Sequence, residues 1–357
     1  MDLSSCSMDE LLSMKAEAEQ NYGLFKTRQN AFKTLANSLY GSLGTPTFRF
    51  YDADLATAIT LTGQAGINAM AKTSNAYLSK LIGVEKDYVI AGDTDSAMLD
   101  LSDLIEKLNV PEEKAVDFLA KFGETKLRDA IGVGVSEFNV GTNAFKERLF
   151  FKKEGIFSAI LVQKKRYLFL VYDNEGVRYA TPELKITGLE SQRSSTPEWC
   201  RDMLKKAYME FFTGTQESLQ KLVKDARSAY MELPIDKISA ASSANNLDAF
   251  IGPDGMAVKG TPMHIKGAIA FNKLLVSRNL TEKYMKINSG DKVKVIALVN
   301  PNPAKNDTIA FSDAIPPEFD IEKYVDKPAM FKKFFLEPLQ RVADVKGWNC
   351  IKTATLF

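Results

Sequence analysis

At 357 residues, with 45% hydrophobic and 25% charged side chains, the chain is long enough for roughly two or three domains and is too apolar for wholesale disorder. Its formal net charge of +1 excludes a globally basic protein, so a nucleic-acid partner would have to be met by locally concentrated cations. The three cysteines, Cys6, Cys200 and Cys350, lie far apart, which argues against a zinc ribbon or iron–sulfur site and fits a reducing compartment. No apolar run approaches the roughly 20 residues of a membrane span, and Met1-Asp2 opens without a basic and then apolar leader, so a cytoplasmic protein with no membrane partner is expected. The single histidine, His264, sits in Thr261-Pro262-Met263-His264-Ile265-Lys266-Gly267 and reads as a packed or hydrogen-bonded residue.

Ser7-Met8-Asp9-Glu10 has the pattern of a capping box, and a proline-free stretch from Met8 to about Tyr40 predicts a long helix, with Asn21-Tyr22-Gly23 marking a bend or break. Near its end Lys33, Asn37 and Tyr40 fall at i, i+4 and i+7 and share one face, while Phe32, Leu35 and Leu39 lie on the other side. An ammonium, an amide and a phenol in one stripe suit a helix lying along a nucleoside triphosphate; a plain solvated face is the competing reading. Gly41 and Gly44 end the helix and permit close backbone approach. A second helix, rich in Ala, Gly and Ser, is predicted from about 54 to 81.

Two β-prone runs then flank Gly92-Asp93-Thr94-Asp95, which predicts a hairpin with two carboxylates at its bend. Residues i and i+2 of an extended segment share a face, so Asp93 and Asp95 are expected to project together. Close carboxylates repel and call for a cation, and oxygen-only ligands favour Mg²⁺ or Mn²⁺. The alternative is a turn that merely favours Gly, Asp and Ser. Residues from 103 to about 135 read as helix. From 148 to 179 strands are predicted at 149–154, 156–161 and 165–172, closed by a turn at Asp173-Asn174-Glu175-Gly176. Lys164, Lys165 and Arg166 place three cations at the start of one of these strands, either as ordinary surface or as a track for a polyanion. Thr196 is expected to N-cap a helix with Pro197 at its first position. Helices follow at about 198–212 and 215–231, then a strand at 293–299 and a helix at 329–342 interrupted at Pro338.

Lys33-Thr34-Leu35-Ala36-Asn37-Ser38-Leu39-Tyr40-Gly41 resembles the Lys-x-x-x-Asn-Ser-x-Tyr-Gly signature of family B DNA polymerases. Gly92-Asp93-Thr94-Asp95-Ser96 is similar to their Asp-Thr-Asp palm motif, and Lys164-Lys165-Arg166-Tyr167 to their Lys-Lys-x-Tyr motif, all in the family's order. Phe48 to Asp52, Leu184 to Glu190, Ser242 to Asn246 and Pro262 to Gly267 resemble stretches of the replicative polymerases of large tailed phages.

The resemblance implies an α+β fold that is part of a right hand: a second fingers helix at 1–41, an antiparallel-sheet palm at 42–182 and a mainly helical thumb at 183–357. It implies DNA-directed DNA synthesis by two-metal nucleotidyl transfer with Mg²⁺, or Mn²⁺ in its place, the two ions about 4 Å apart. Asp95 would be a direct metal ligand, Asp93 a close companion and Glu154 an auxiliary carboxylate, although Lys152 stands where related enzymes often carry another acid. Lys33 would neutralise triphosphate charge and protonate the leaving group. Asn37, Tyr40 and Gly41 would line the dNTP and nascent base pair, and Lys164, Lys165, Arg166 and Tyr167 would hold the primer–template backbone.

The family's Asp-x-x-Ser-Leu-Tyr-Pro motif, first fingers helix and 3′–5′ exonuclease region find no match here. The expectation is therefore a carboxy-terminal polymerase half, inactive until an amino-terminal partner chain supplies the missing aspartate. A palm without its other strands should expose apolar surface that such a partner would cover. Lys352 to Phe357, with Leu356 and Phe357 at its end, resembles the start of a tail that binds a sliding clamp. A non-catalytic DNA-binding or assembly subunit is the competing reading. A phage origin would put the protein in the host cytoplasm.

Overall fold

The computed structural model describes residues 6–352 apart from Thr94 and Asp254; the Asp93 side chain is likewise outside the described set. Leu356 and Phe357, the residues of the expected clamp tail, lie outside the described residues. Among the described residues all three sheets are antiparallel and are interleaved with long helices, which is an α+β architecture. Contacts divide the chain into two compact units, 1–153 and 154–357. The division falls inside the 42–182 stretch expected to form one palm.

In the first unit, α1 (Met8–Leu43) is a single 36-residue helix with no break at Asn21-Tyr22-Gly23. Its amino end is the predicted capping box: Ser7 Oγ accepts from the Glu10 N–H, and Glu10 accepts from the Ser7 N–H at 2.8 Å. α2 (Ala53–Ile82) starts where the Asp52 carboxylate accepts the Leu55 N–H and stops at Gly83, whose φ of +80° suits a residue without Cβ. β1 (Val89–Asp93) and β2 (Ser96–Leu99) form a two-stranded hairpin.

The stretch expected as one helix to 135 is instead α3 (Ser102–Lys107), α4 (Glu112–Phe122), one wide helical turn at Gly123–Leu127, and α5 (Arg128–Gly141). Asn109, with a left-handed φ of 47°, and Pro111 force the break. Buried Leu78, Tyr88, Leu104, Ile131 and Val135 form this unit's core. The small residues of α2 serve its crossing with α5. A Cβ on Gly134 would sit 1.9 Å from Thr73 Oγ1, and one on Gly66 2.8 Å from a Leu149 methyl.

Residues 149–154, expected as a strand, are irregular. Leu149 and Phe151 pack on the α2 side of the core, and Lys153 lies along Gly123 and pairs with Glu124 at 3.1 Å, so side-chain docking replaces strand pairing there.

The second unit opens with the meander β3 (Gly155–Gln163), β4 (Arg166–Asn174) and β5 (Val177–Thr187). Glu175 and Gly176, with φ of 51° and 85°, make the β4–β5 bend at the predicted place. α6 (Glu198–Thr213) begins after Pro197, which takes the N-cap position; Thr196 is buried and supplies no side-chain cap, contrary to expectation.

α7 (Gln216–Glu232), the short α8 (Ile235–Ile238), β6 (Ala240–Ser243), α9 (Met263–Ser277), β7 (Lys292–Ala297) and β8 (Thr308–Phe311) follow. The last helical segments are α10 (Lys327–Phe331) and α11 (Glu337–Ala343), joined by a wide turn at Lys332–Leu336. The expected interruption is the wide turn itself, which ends just before Pro338; the proline sits in the first turn of α11, where its missing N–H is accommodated. The core spans α6, α7, α9 and this last helical stretch over β7 and β8, with Leu204, Tyr208, Phe211, Ile296 and Phe335 almost wholly buried.

Candidate active site and nucleic-acid interface

The carboxylate bend is built from both sides. In the hairpin ladder Asp93 pairs with Ser96, and Asp95, which follows the end of β1, is exposed. Asp95 thus lies beyond the strand, and the alternation of an extended segment does not govern its direction as the sequence reading assumed. The base of the hairpin is clamped to α2. Asn75 Oδ1 accepts the Tyr88 N–H at 2.9 Å, and Asn75 Nδ2 donates to Asp87 Oδ1 at 2.8 Å. Asp87 Oδ1 also accepts the Val89 N–H, and the buried Tyr88 hydroxyl donates to the Val84 carbonyl.

Lys86 ties the other flank. Its ammonium lies 2.7 Å from Asp103 and 3.4 Å from Asp100 and sits over the Tyr88 ring. The Asp103 hydrogen bond raises the Lys86 pKa above its ordinary range. Burial opposes ionisation of Asp100, but hydrogen bonds from Ser102 and the Lys86 charge prevail and lower its carboxyl. None of this scaffold was singled out from sequence. An asparagine midway through a helix was the available signal, since that residue is a poor helix former unless its amide is used elsewhere.

Lys33, Asn37, Tyr40 and Gly41 are all exposed on the last turns of α1, with the first three at the predicted helical spacing. Phe32, Leu35 and Leu39, on the other side of the helix, are about 70% exposed, so this part of α1 is bare on both sides. Among the described residues no group of three or more His, Cys, Asp or Glu side chains could hold a metal ion. The sequence offers two carboxylates in this stretch, Asp93 and Asp95, and carboxylate oxygen is a donor type that suits Mg²⁺ completed by substrate phosphates. Glu154 opens the second unit, where its carbonyl accepts the Glu175 N–H.

The Lys164–Tyr167 stretch is a hairpin tip rather than a strand start. Gln163 pairs with Arg166, so Lys164 and Lys165 form the two-residue bend, with Lys165 at φ 60°. Lys164 and Lys165 are exposed. Arg166 turns inward and donates to Glu190 Oε1 at 2.6 Å, and Arg341 reaches the same oxygen at 3.4 Å. Tyr167 stacks on Phe169, with ring centroids 4.4 Å apart, and Phe169 stacks on Phe157 at 4.0 Å.

Another of the phage-like stretches, Pro262 to Gly267, has a local structural use. A Cβ on Gly267 would lie 2.7 Å from the Ala310 backbone nitrogen, so that glycine lets α9 touch β8. Burial lowers the pKa of neighbouring His264, in keeping with a packed residue.

Residues 10–114 match the family described as DNA polymerase family B, a span that runs from α1 through the carboxylate hairpin. The DNA-directed DNA polymerase of Enterobacteria phage T4 is 32% identical over 99% of this chain and 41% of its own length. That of Escherichia phage RB69 is 33% identical over 99% of this chain and 40% of its own. A more distant match, DNA polymerase 2 of Aeropyrum pernix, is 24% identical over 86% of this chain and 31% of the relative. Within residues 10–114 the chain is thus similar to the family B DNA polymerases. Across nearly its whole length it resembles the two phage enzymes, of which it spans about two fifths.

Proposed function

We propose that the chain is the carboxy-terminal part of a DNA-directed DNA polymerase, comprising the second fingers helix, the palm and the thumb. The observation that carries this reading is the co-occurrence, within one family match, of the Lys33/Asn37/Tyr40 stripe on an exposed helix face and the Asp93/Asp95 hairpin hydrogen-bonded to α2 at its base. Family similarity and donor chemistry support residue roles as follows. Lys33 meets the triphosphate and hands a proton to the leaving pyrophosphate. Asn37, Tyr40 and the Cβ-free Gly41 orient the incoming dNTP against the template base. Asp93 and Asp95 would hold Mg²⁺, with Glu154 as an auxiliary carboxylate; Mg²⁺ supplies Lewis-acid activation of the primer 3′-hydroxyl and charge neutralisation on the phosphates. Lys164 and Lys165 contact the primer–template backbone without reading sequence.

The remaining palm aspartate comes, in this reading, from an amino-terminal polymerase half that also covers the bare face of α1. The residues from 183 onward form the thumb, and the 352–357 tail tethers a sliding clamp. No described helix is long and apolar enough to cross a membrane, and a cytoplasmic site of action in a host cell is part of the same proposal. A non-catalytic assembly subunit has no physical need for the Lys33 and Asp93/Asp95 constellation, which favours the catalytic reading. With the amino-terminal half present, Asp95→Asn is expected to abolish Mg²⁺-dependent primer extension while leaving primer–template affinity within about twofold. Extension near the parent rate would refute the assignment.

A further inference from the structure

The hairpin tip at Lys164–Lys165 is braced from behind by the segment that follows β5. Gly188, at φ +68°, passes so close that a Cβ there would lie 2.2 Å from the Lys165 carbonyl oxygen and 3.2 Å from Arg166 Cγ. Two residues on, Glu190 receives the Arg166 guanidinium at 2.6 Å and that of Arg341 at 3.4 Å. The Arg166 and Glu190 side chains are only 21% and 14% exposed, whereas Lys164 is exposed and has no ion pair among the described residues. Arg166 Nε, the second Glu190 oxygen, Ser191 Oγ and the Tyr208 hydroxyl are buried beside this pair with no protein partner. A guanidinium shared with a carboxylate in a half-dry site is already compensated, and withdrawing it to meet a phosphate would strand Glu190. Releasing a phosphate-bound counterion requires a cation that is free to approach, and Lys164 qualifies where Arg166 does not.

We propose that Glu190 and Gly188 are positioning residues for the Lys164–Lys165 tip, and that Arg166 braces this tip through Glu190 instead of contacting a DNA phosphate. The proposal rests on the reading that this tip meets primer–template DNA.

The two ideas separate in a salt titration. Binding of the full chain to a labelled primer–template duplex is measured between about 50 and 200 mM KCl, well below the unfolding temperature of each variant. Lys164→Ala is expected to make the slope of log K against log salt shallower by about 0.9, the loss of one phosphate contact. Arg166→Gln is expected to weaken binding by about three- to tenfold, the scale of one net hydrogen bond, by the same factor at every salt concentration and with the slope unchanged. Gly188→Ala alters no charge and should produce the same parallel displacement, so it tests the brace even if Arg166→Gln fails to fold. Glu190→Gln should also weaken binding.

A slope about 0.9 shallower in Arg166→Gln would overturn the proposal, as would unchanged binding in Gly188→Ala or unchanged or tighter binding in Glu190→Gln. A parent chain that does not bind the duplex, or a Lys164→Ala variant with the parent slope, would instead overturn the underlying assignment of the tip to DNA.

Discussion

Asp95 and Arg166 show how much a residue's role depends on which way its backbone turns. Both are charged members of short motifs, and both lie at hairpin bends or directly beside them. Asp95 is left exposed in its bend, where a carboxylate can meet a cation, whereas Arg166 begins a strand and turns toward Glu190. The motif made the residue types legible. It could not reveal Glu190, 24 positions away, because that pairing depends on how the chain returns after β5. The cysteines give a residue-scale test. Burial pushes the Cys200 and Cys350 thiols up to about 12, so almost no thiolate is available near neutrality, while Cys6 is only half-buried. Iodoacetamide at pH 8 is expected to label Cys6 alone in the folded chain and all three cysteines in denaturant, as read by mass spectrometry.

At the scale of elements, the two long helices were readable from the absence of proline, the caps and the small-residue content, and their ends lie within a few residues of expectation. The corrections come where tertiary contact overrode local pattern. The run at 149–154 opens with three apolar residues, yet it docks on α2 and Gly123 instead of pairing. The interruption expected at Pro338 falls just before it, in the wide turn at Lys332–Leu336.

Two substitutions test these packings. Gly134→Ala would drive a methyl into Thr73, whose hydroxyl is already committed to the Ala69 carbonyl at 2.9 Å. It is expected to destabilise the first unit by about 1–3 kcal/mol in urea unfolding. Asn75→Ala leaves the N–H of buried Tyr88 without its acceptor and should cost about 1–3 kcal/mol, with faster amide exchange at the base of the carboxylate hairpin.

At the scale of the whole molecule, the 36-residue α1 needs explaining most. Ser42 is the buried position among its described residues, and Phe25, Phe32, Leu35 and Leu39 are more than 60% exposed. A helix draws most of its stability in a protein from burying one face, so such a helix calls for a covering surface. The proposed amino-terminal polymerase half meets that need and the need for a further metal-binding carboxylate together. The most direct measurement is Mg²⁺-dependent extension of a labelled primer by this chain, alone and mixed with the amino-terminal half of a phage-type family B polymerase. Extension by the mixture, and none by either part separately, is the expected result. Extension by the isolated 357-residue chain, or an inactive mixture whose two parts nevertheless bind each other and primer–template DNA, would contradict the account.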